Sequence, residues 1–421
     1  MEKGIWQMDL SSYMFIQNPY DTYEHLHREY PVYHCPEKDY YYVASYELVK
    51  AVFCHPNASS NRVKTMTDGL PEPVLTAIKP LTDSLSKWLL FLDPPFHGAI
   101  RKVINASLSK KVVDSLKPEI EQIASELLSF QRDSFDLMSG FAYPLPVLVI
   151  SQMLGIPSED RSKIKSWSES LAVFLGDRTS PEQIFAVQQS IAEATDYFTA
   201  HVISQRENPS SDIIVNMLKF QTDNPAFTDE YLIANLIALL FAGHETTSNA
   251  IGNGYLNLLR NSNTLPSQTA LLQNIEGLVN ESLRYESPVQ RMGRFTIGEI
   301  DLGTCIIPEG KRVLLLIGAA NRDPLQFEEP NTFTFNRQRN NHIAFGYGHH
   351  LCSGTYLAKV EMAVALSHLL HKFRLNQIDV SSYKWRKNLG LRGLALFKIT
   401  SLSVSDCLQS PQVENSPLAG S

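Results

Sequence analysis

The feature that most restricts how this chain can fold is the segment 228–261, TDEYLIANLIALLFAGHETTSNAIGNGYLNLLRN. It reads as one long helix, and its middle is apolar on nearly every side. A helix with no polar face cannot rest on a surface, so other elements must enclose it. It is not a membrane span. Its best apolar run, YLIANLIALLFAG, is shorter than the ~20 residues needed to cross a bilayer and contains Asn235. The chain has 421 residues, enough to build a large core around such a helix. Length alone would suggest two or three domains of roughly 150 residues, but no linker interrupts the pattern. A single domain is therefore expected over 1–405, followed by a loose tail rich in Ser and Pro at 406–421.

Around that helix the pattern is mostly helical from residue 98 to about 285. VVDSLKPEIEQIASELLSF carries apolar residues at spacings of three and four, and SEDRSKIKSWSESLAVFL opens on a Ser cap. YYYVAS reads as an early strand, and ELVKAVFCHP as a helix ended by proline. Residues 61–90 mix Pro, Gly, Thr and Asp with apolar residues and read as a long irregular loop. After residue 294, GRFTIGEIDLGTCIIPEGKRVLLLIGAAN turns to strands. The fold class is mainly α with a smaller β-rich lobe. Hydrophobic residues make up 43% and charged residues 19%, an ordinary globular composition. The net charge of −7 argues against nucleic acid as a main partner. MEKGIWQMDLSSY has no apolar stretch of the signal-peptide kind. The five cysteines (35, 54, 305, 352 and 407) form no CxxC pair and are odd in number, which fits a reducing cytosol.

Four stretches can carry chemistry. In AFGYGHHLCSG (344–354), Cys352 precedes a helical pattern, where backbone N–H groups and the helix end favour a thiolate. Gly346, Gly348 and Gly354 allow positive φ and close backbone approach. By itself such a thiol is more often a structural one. In FAGHETTSN, His244-Glu245 opens like the zinc motif H-E-x-x-H, but Ser248 stands where the second histidine is required. Thr246 could simply be back-bonded to its own helix. In ESLRYESP, Glu281 and Arg284 are i,i+3 partners. In DPPFHGAIR, His97 and Arg101 share one helix face.

Taken together these stretches resemble the cytochrome P450 superfamily, of the soluble bacterial type. The family's signature F-G-x-G-x-H-x-C-x-G is matched from Phe345 to Gly354, A-G-x-[DE]-T from Ala242 to Thr246, E-x-x-R at Glu281 and Arg284, and P-x-x-F-x-x-x-R at Pro330, Phe333 and Arg337. The resemblance implies haem b, with Cys352 as the axial ligand of its iron and Phe345 and Gly346 in the ligand loop. His97, Arg101, Arg294 and His350 would face the propionates. Haem would lie between the long helix and the helix after Cys352. The long helix would open locally at Gly243, with Thr246 and Glu245 passing protons. Glu281, Arg284 and Arg337 would form a structural clamp.

The implied reaction is monooxygenation of a hydrophobic small molecule, with a polyketide, macrolide or terpenoid secondary metabolite favoured. Leu239, Ala242, Val289, Met292 and Leu394, with parts of 61–92, would line the pocket. Electrons would come from NAD(P)H through a separate ferredoxin or flavodoxin-type donor and its reductase, docking on Lys102, Lys110, Lys111 and Lys359. A monomer acting in the cytoplasm is expected. The alternatives are a haem sensor or carrier without turnover, another P450 oxidation (desaturation, coupling or a peroxide-driven reaction), and a zinc hydrolase. The Glu245-Thr246 pair speaks against the carrier and peroxide readings, and Ser248 against zinc.

Overall fold

The computed structural model describes residues 12–176 and 181–401, so the expected tail at 406–421 and Cys407 lie outside the described residues. Its axis is the helix Asp229–Arg260. With 32 residues it is about 48 Å long. Every residue from Thr247 to Leu259 is buried, the enclosure that its apolar middle demands. A polar ladder nevertheless runs along it: Glu245, Asn249, Asn253 and Asn257, four residues apart, all buried.

Helices surround this axis. Pro144–Met153 and Thr355–Lys372 pack directly on it, as do Pro181–Glu207 and Ile275–Tyr285. Gly243 has a packing role here, because a Cβ at that position would lie 2.9 Å from Ile150. Pro144–Met153 is entered through a π-helical turn, Met138–Ala142. A Cβ on Gly252 would meet the Met138 sulfur of that turn.

Among the described residues ten strands form the β-rich part: β1 (Val32–Cys35), β2 (Tyr40–Val43), β3 (Ala58–Ser59), β4 (Ser134–Asp136), β5 (Arg291–Thr296), β6 (Ile300–Asp301), β7 (Ile306–Ile307), β8 (Arg312–Leu316), β9 (Ile378–Trp385) and β10 (Leu394–Ser401). The main sheet has the order β1-β2-β8-β5-β3, with β2 and β8 parallel and the other pairs antiparallel. In β5, Met292 pairs with Leu315 and Arg294 with Val313, so the sheet fixes two of the expected site residues. A second sheet, β4-β10-β9, lies near the chain's end.

The segment 61–90 is not the irregular loop expected from its Pro and Gly content. It folds as three short helices, Val63–Met66, Glu72–Ala77 and Lys79–Leu85, followed by a 3-10 turn, Leu89–Phe91. Leu81, Leu85, Trp88 and Phe91 recur at helical spacing and are all but fully buried. Burial of that stripe outweighs the local breakers: Pro73 and Pro80 sit in first turns, where a missing N–H costs nothing, and Pro71 stands just before its helix.

Candidate active site

The chain entering the cysteine loop is held at two points. The Ile343 N–H donates to Asn321 Oδ1 at 2.8 Å, and the Tyr46 hydroxyl donates to the Asn341 carbonyl at 2.6 Å. The Cys352 N–H closes the loop onto the Phe345 carbonyl at 2.9 Å. Gly346 and Gly348 have φ of 76° and 70°, the region in which a side chain is strained. At Gly348 a Cβ would also press on Cys54 Sγ and the Phe53 carbonyl. The Gly354 amide and the Thr355 side chain offer hydrogen bonds to the sulfur. Even so, burial dominates and pushes the Cys352 thiol above its ordinary value. The residue as a whole is open to solvent, yet protein surrounds the thiol deeply enough to cost it most of water's stabilisation. The thiolate expected from the helix end alone is therefore outweighed. A cation at the sulfur would restore it.

Beside the loop, the helix Phe96–Ser107 brings up His97 and Arg101. The His97 ring stands 4.1 Å from that of His350, and an Arg101 guanidinium N–H donates to the Leu351 carbonyl. Arg294 reaches in from β5. Arg62, which the sequence reading did not single out, joins it; a Cβ on Gly293 would lie 2.9 Å from the Arg62 side chain. All five groups are held below their ordinary values, first by burial and then, for all but Arg101 and Arg294, by mutual repulsion. Arg62 falls to about 9, Arg294 to about 10, His97 to about 4 and His350 to about 2. His97 Nε2 and Arg294 Nη2 are buried and have no hydrogen-bond partner among the described residues. So dense a group of cations and imidazoles suits an anion with more than one carboxylate.

On the central helix, Ala238, Leu239, Ala242, Gly243 and Thr246 keep some exposure while the residues between and after them are buried. Spaced by three and four, they form one stripe, predominantly apolar and ending in an alcohol. The local opening expected at Gly243 is absent. The helix runs unbroken, and Thr246 Oγ1 donates to the Ala242 carbonyl at 3.3 Å. That back-bond and the tight fit of Gly243 on Ile150 keep the turn closed.

Glu245 is buried beneath this stripe. Arg386 Nη1 donates to its Oε1 at 2.8 Å and Asn249 Nδ2 donates at 3.3 Å, while Oε2 has no partner among the described residues. Burial raises its pKa, and the Arg386 charge opposes the rise. His244 faces elsewhere. Its ring meets Tyr143 edge-on at 5.6 Å, and among the described residues no group of three metal-ligating side chains exists to support a zinc site.

Glu281 and Arg284 form a fully buried two-pronged pair, with N–H donation at 2.8 and 2.7 Å. Arg337 joins at 3.3 Å, as do the Thr334 N–H at 2.7 Å and Asn340 at 3.0 Å. Arg284 also donates to the carbonyls of Asn321, Pro330 and Thr332. Through Asn321 the cluster reaches the strand of chain entering the cysteine loop.

Of the residues expected to line a pocket, Leu239 and Ala242 lie on the stripe, and Met292 and Val289 are half-buried. Val289 bridges to Leu391. Leu394 is misplaced by the sequence reading. It is wholly buried over Gly252, in core already filled by Met138, whereas Leu391, three residues earlier, keeps some exposure beside Val289.

A family model described as Cytochrome P450 matches residues 10–276 and 267–391. The chain belongs to the cytochrome P450 family. Among its relatives, Cytochrome P450 107B1 of Saccharopolyspora erythraea is 37% identical over 74% of this chain and 76% of its own. The Polyketide biosynthesis cytochrome P450 PksS of Bacillus subtilis is 34% identical over 74% and 77%. A crystal structure of P450BioI, in complex with an acyl carrier protein ligated to hexadec-9Z-enoic acid, superposes with a TM-score of 0.84 at 30% identity, covering 92% of this chain and 98% of that one. The P450 family is one of monooxygenase enzymes with a haem-iron cofactor. The residues present fit that group: an iron would meet the Cys352 thiol, and two propionates would meet the unpartnered His97 and Arg294 atoms. In this P450, Arg62, Asn340, Arg386 and Leu391 escaped the sequence reading. None belongs to a spaced motif, and each gains meaning only from a partner distant in the chain. Among the described residues, no helix is long and apolar enough to cross a membrane.

Proposed function

We propose that this P450 hydroxylates or epoxidises a hydrophobic small molecule of polyketide, macrolide or terpenoid type, using one oxygen atom of O2. The observation that carries the reading is the partly exposed apolar stripe of the central helix ending at Thr246, with the buried carboxyl of Glu245 next to it. An apolar surface beside an alcohol and an acid suits a reaction that consumes protons next to a greasy substrate. When bound, haem supplies the redox chemistry that activates dioxygen. Cys352 would hold its iron, and His97, Arg101, Arg294 and His350, together with Arg62, its propionates. Phe345 and Gly346 shape the loop behind the sulfur. Thr246 Oγ1 offers a hydroxyl proton on the stripe, and the buried Glu245 Oε2, with no hydrogen-bond partner among the described residues, would replace it. Leu239, Ala242, Val289, Met292 and Leu391 would orient the substrate and keep water away. Glu281, Arg284 and Arg337 would serve as the structural clamp.

Electrons would arrive from NAD(P)H through a separate ferredoxin or flavodoxin with its reductase. Lys102 and Lys111 are exposed and suited to an acidic donor, whereas Lys110 is paired with Asp114 and Lys359 is half-buried. The likeness to P450BioI, solved with an acyl carrier protein, supports a second reading in which the substrate arrives tethered to a carrier. We expect a monomer acting in the cytoplasm.

Reducing the purified protein under carbon monoxide tests the haem-thiolate assignment. A Soret band at about 450 nm, the position in the family name, is expected. A band of the histidine-ligated type, or a colourless protein, would overturn it. Spin-state titration with a macrolactone, testosterone, myristic acid and a hexadecanoyl carrier protein then separates the substrate readings.

A further inference from the structure

The segment between β9 and β10, residues 386–393, touches more of the molecule than a hairpin connection needs. Its base is closed by the Arg386 N–H on the Gly393 carbonyl at 2.9 Å. On one side it is fixed to the central helix. Asn253 Nδ2 donates to the Arg392 carbonyl at 2.9 Å, and a Cβ on Gly393 would lie 1.9 Å from Asn249 Oδ1. Arg392 pairs with buried Glu286 and donates to the Ile16 and Gln17 carbonyls. The Leu391 bridge to Val289 is flanked by bonds from the Gln290 N–H to the Gly390 carbonyl and from the Arg392 N–H to the Pro288 carbonyl, both 2.8 Å.

On the other side the loop is organised by one side chain. Asn388 Oδ1 accepts the N–H groups of Gly390 (2.9 Å) and Leu391 (2.8 Å), while its Nδ2 donates to the Ala172 carbonyl at 2.9 Å. Ala172 belongs to the helix Arg161–Gly176. The same amide therefore shapes the loop and ties it to that helix. From this loop Arg386, whose side chain is 29% exposed, reaches Glu245, whose side chain is 2% exposed.

We propose that Arg386 is a positioning residue for Glu245, holding Oε1 so that Oε2 is the oxygen left to exchange protons, and that Asn388 makes this hold depend on the docking of the helix Arg161–Gly176. The inference rests on Glu245 being the acid of the relay. Arg386 cannot itself carry the proton, since its guanidinium stays charged; it fixes which carboxylate oxygen is free and favours the ionised form. The other groups around Glu245 do not compete. Asn249 gives a neutral amide to the same Oε1, and His244, the adjacent residue, turns its ring to Tyr143 and Phe241. Among the described residues, Arg386 is the one charge that acts on this carboxyl. If the helix Arg161–Gly176 moves away, Asn388 loses its outer partner, the turn it organises loosens, and the aim of Arg386 loosens with it.

Infrared titration of the haem-loaded protein tests this, with the Glu245 carboxyl band assigned by its loss in Glu245→Gln. Arg386→Ala should raise the pH at which the band titrates by about one unit, a roughly tenfold smaller ionised fraction at fixed pH. Arg386→Lys should restore most of the shift. Arg386→Gln serves if the alanine variant fails to fold. Asn388→Ala, which does not touch Glu245, should move the band the same way and speed amide exchange in peptides containing Ala172 and Leu391. An unchanged titration in both the alanine and glutamine variants at Arg386 overturns the hold. A shift there with none in Asn388→Ala overturns the dependence on the helix. The band is readable without turnover, so a wild-type protein lacking the thiolate carbon monoxide spectrum would sink the haem reading separately.

Discussion

Thr246 shows how little a side chain's resting bond says about its use. Its hydroxyl satisfies the Ala242 carbonyl, the bond any mid-helix threonine can make. What sets it apart is that it lies on the exposed stripe beside a buried carboxyl. Thr246→Ala should fold normally and bind haem, yet divert most electrons into hydrogen peroxide. Comparing product formed with NAD(P)H consumed measures this, and unchanged coupling would remove Thr246 from the relay. Glu281 gives the opposite case. It accepts from Arg284, Arg337, Asn340 and the Thr334 N–H, so Glu281→Ala leaves a fully buried guanidinium without its anion. Removing one partner of a buried pair costs about 3–5 kcal/mol. Loss of soluble, haem-loaded protein, read from yield and urea denaturation, is the expected outcome. The motif spacings in the sequence made Cys352, Glu245, Thr246 and the Glu281–Arg284 pair legible. Arg386 was not, because it lies 141 residues from the carboxyl it holds and a lone arginine before a turn looks like any other.

Among elements, the long helix was legible because its own composition demands burial, and its boundaries follow. The segment 61–90 was not. Its apolar residues follow a helical period, but prolines and glycines between them mask it until the central helix supplies a surface to bury Leu81, Leu85 and Trp88. Leu394 failed for a related reason. It opens β10 and turns into the core over Gly252, whereas Leu391 lies in the preceding loop, whose path is set by partners distant in the chain. The contact between the β9–β10 loop and the central helix is equally invisible in sequence, yet it is steep in energy. At Gly393 a methyl group would collide with Asn249 Oδ1. Gly393→Ala should cost about 1–3 kcal/mol through overpacking, and adding Asn249→Ala should recover part of that. A double-mutant cycle by chemical denaturation checks it; strictly additive losses would show that the two residues do not press on each other.

For the whole molecule, pH sensitivity follows from what the core encloses. His244 and His342 are buried and held neutral, their pKa values lowered to about 4 and about 3, first by burial. A histidine lowered in the folded state adds stability that is complete above its unfolded value near 6.5 and is lost as pH falls through the folded values. Glu361, buried in the helix Thr355–Lys372, works in the opposite direction. Burial raises its carboxyl well above the ordinary value, and its Oε2 has no hydrogen-bond partner among the described residues. A raised carboxyl adds stability that is complete below its unfolded value near 4.5 and is lost as pH rises. The molecule is thus squeezed from both sides and should be most stable in mildly acidic buffer. Glu361→Gln keeps the shape and removes the ionisation, so it should stabilise the haem-loaded protein clearly at pH 8 and little at pH 5. Urea midpoints at the two pH values decide the matter. An equal effect at both would mean that Glu361 stays protonated throughout, and that the alkaline loss has another source.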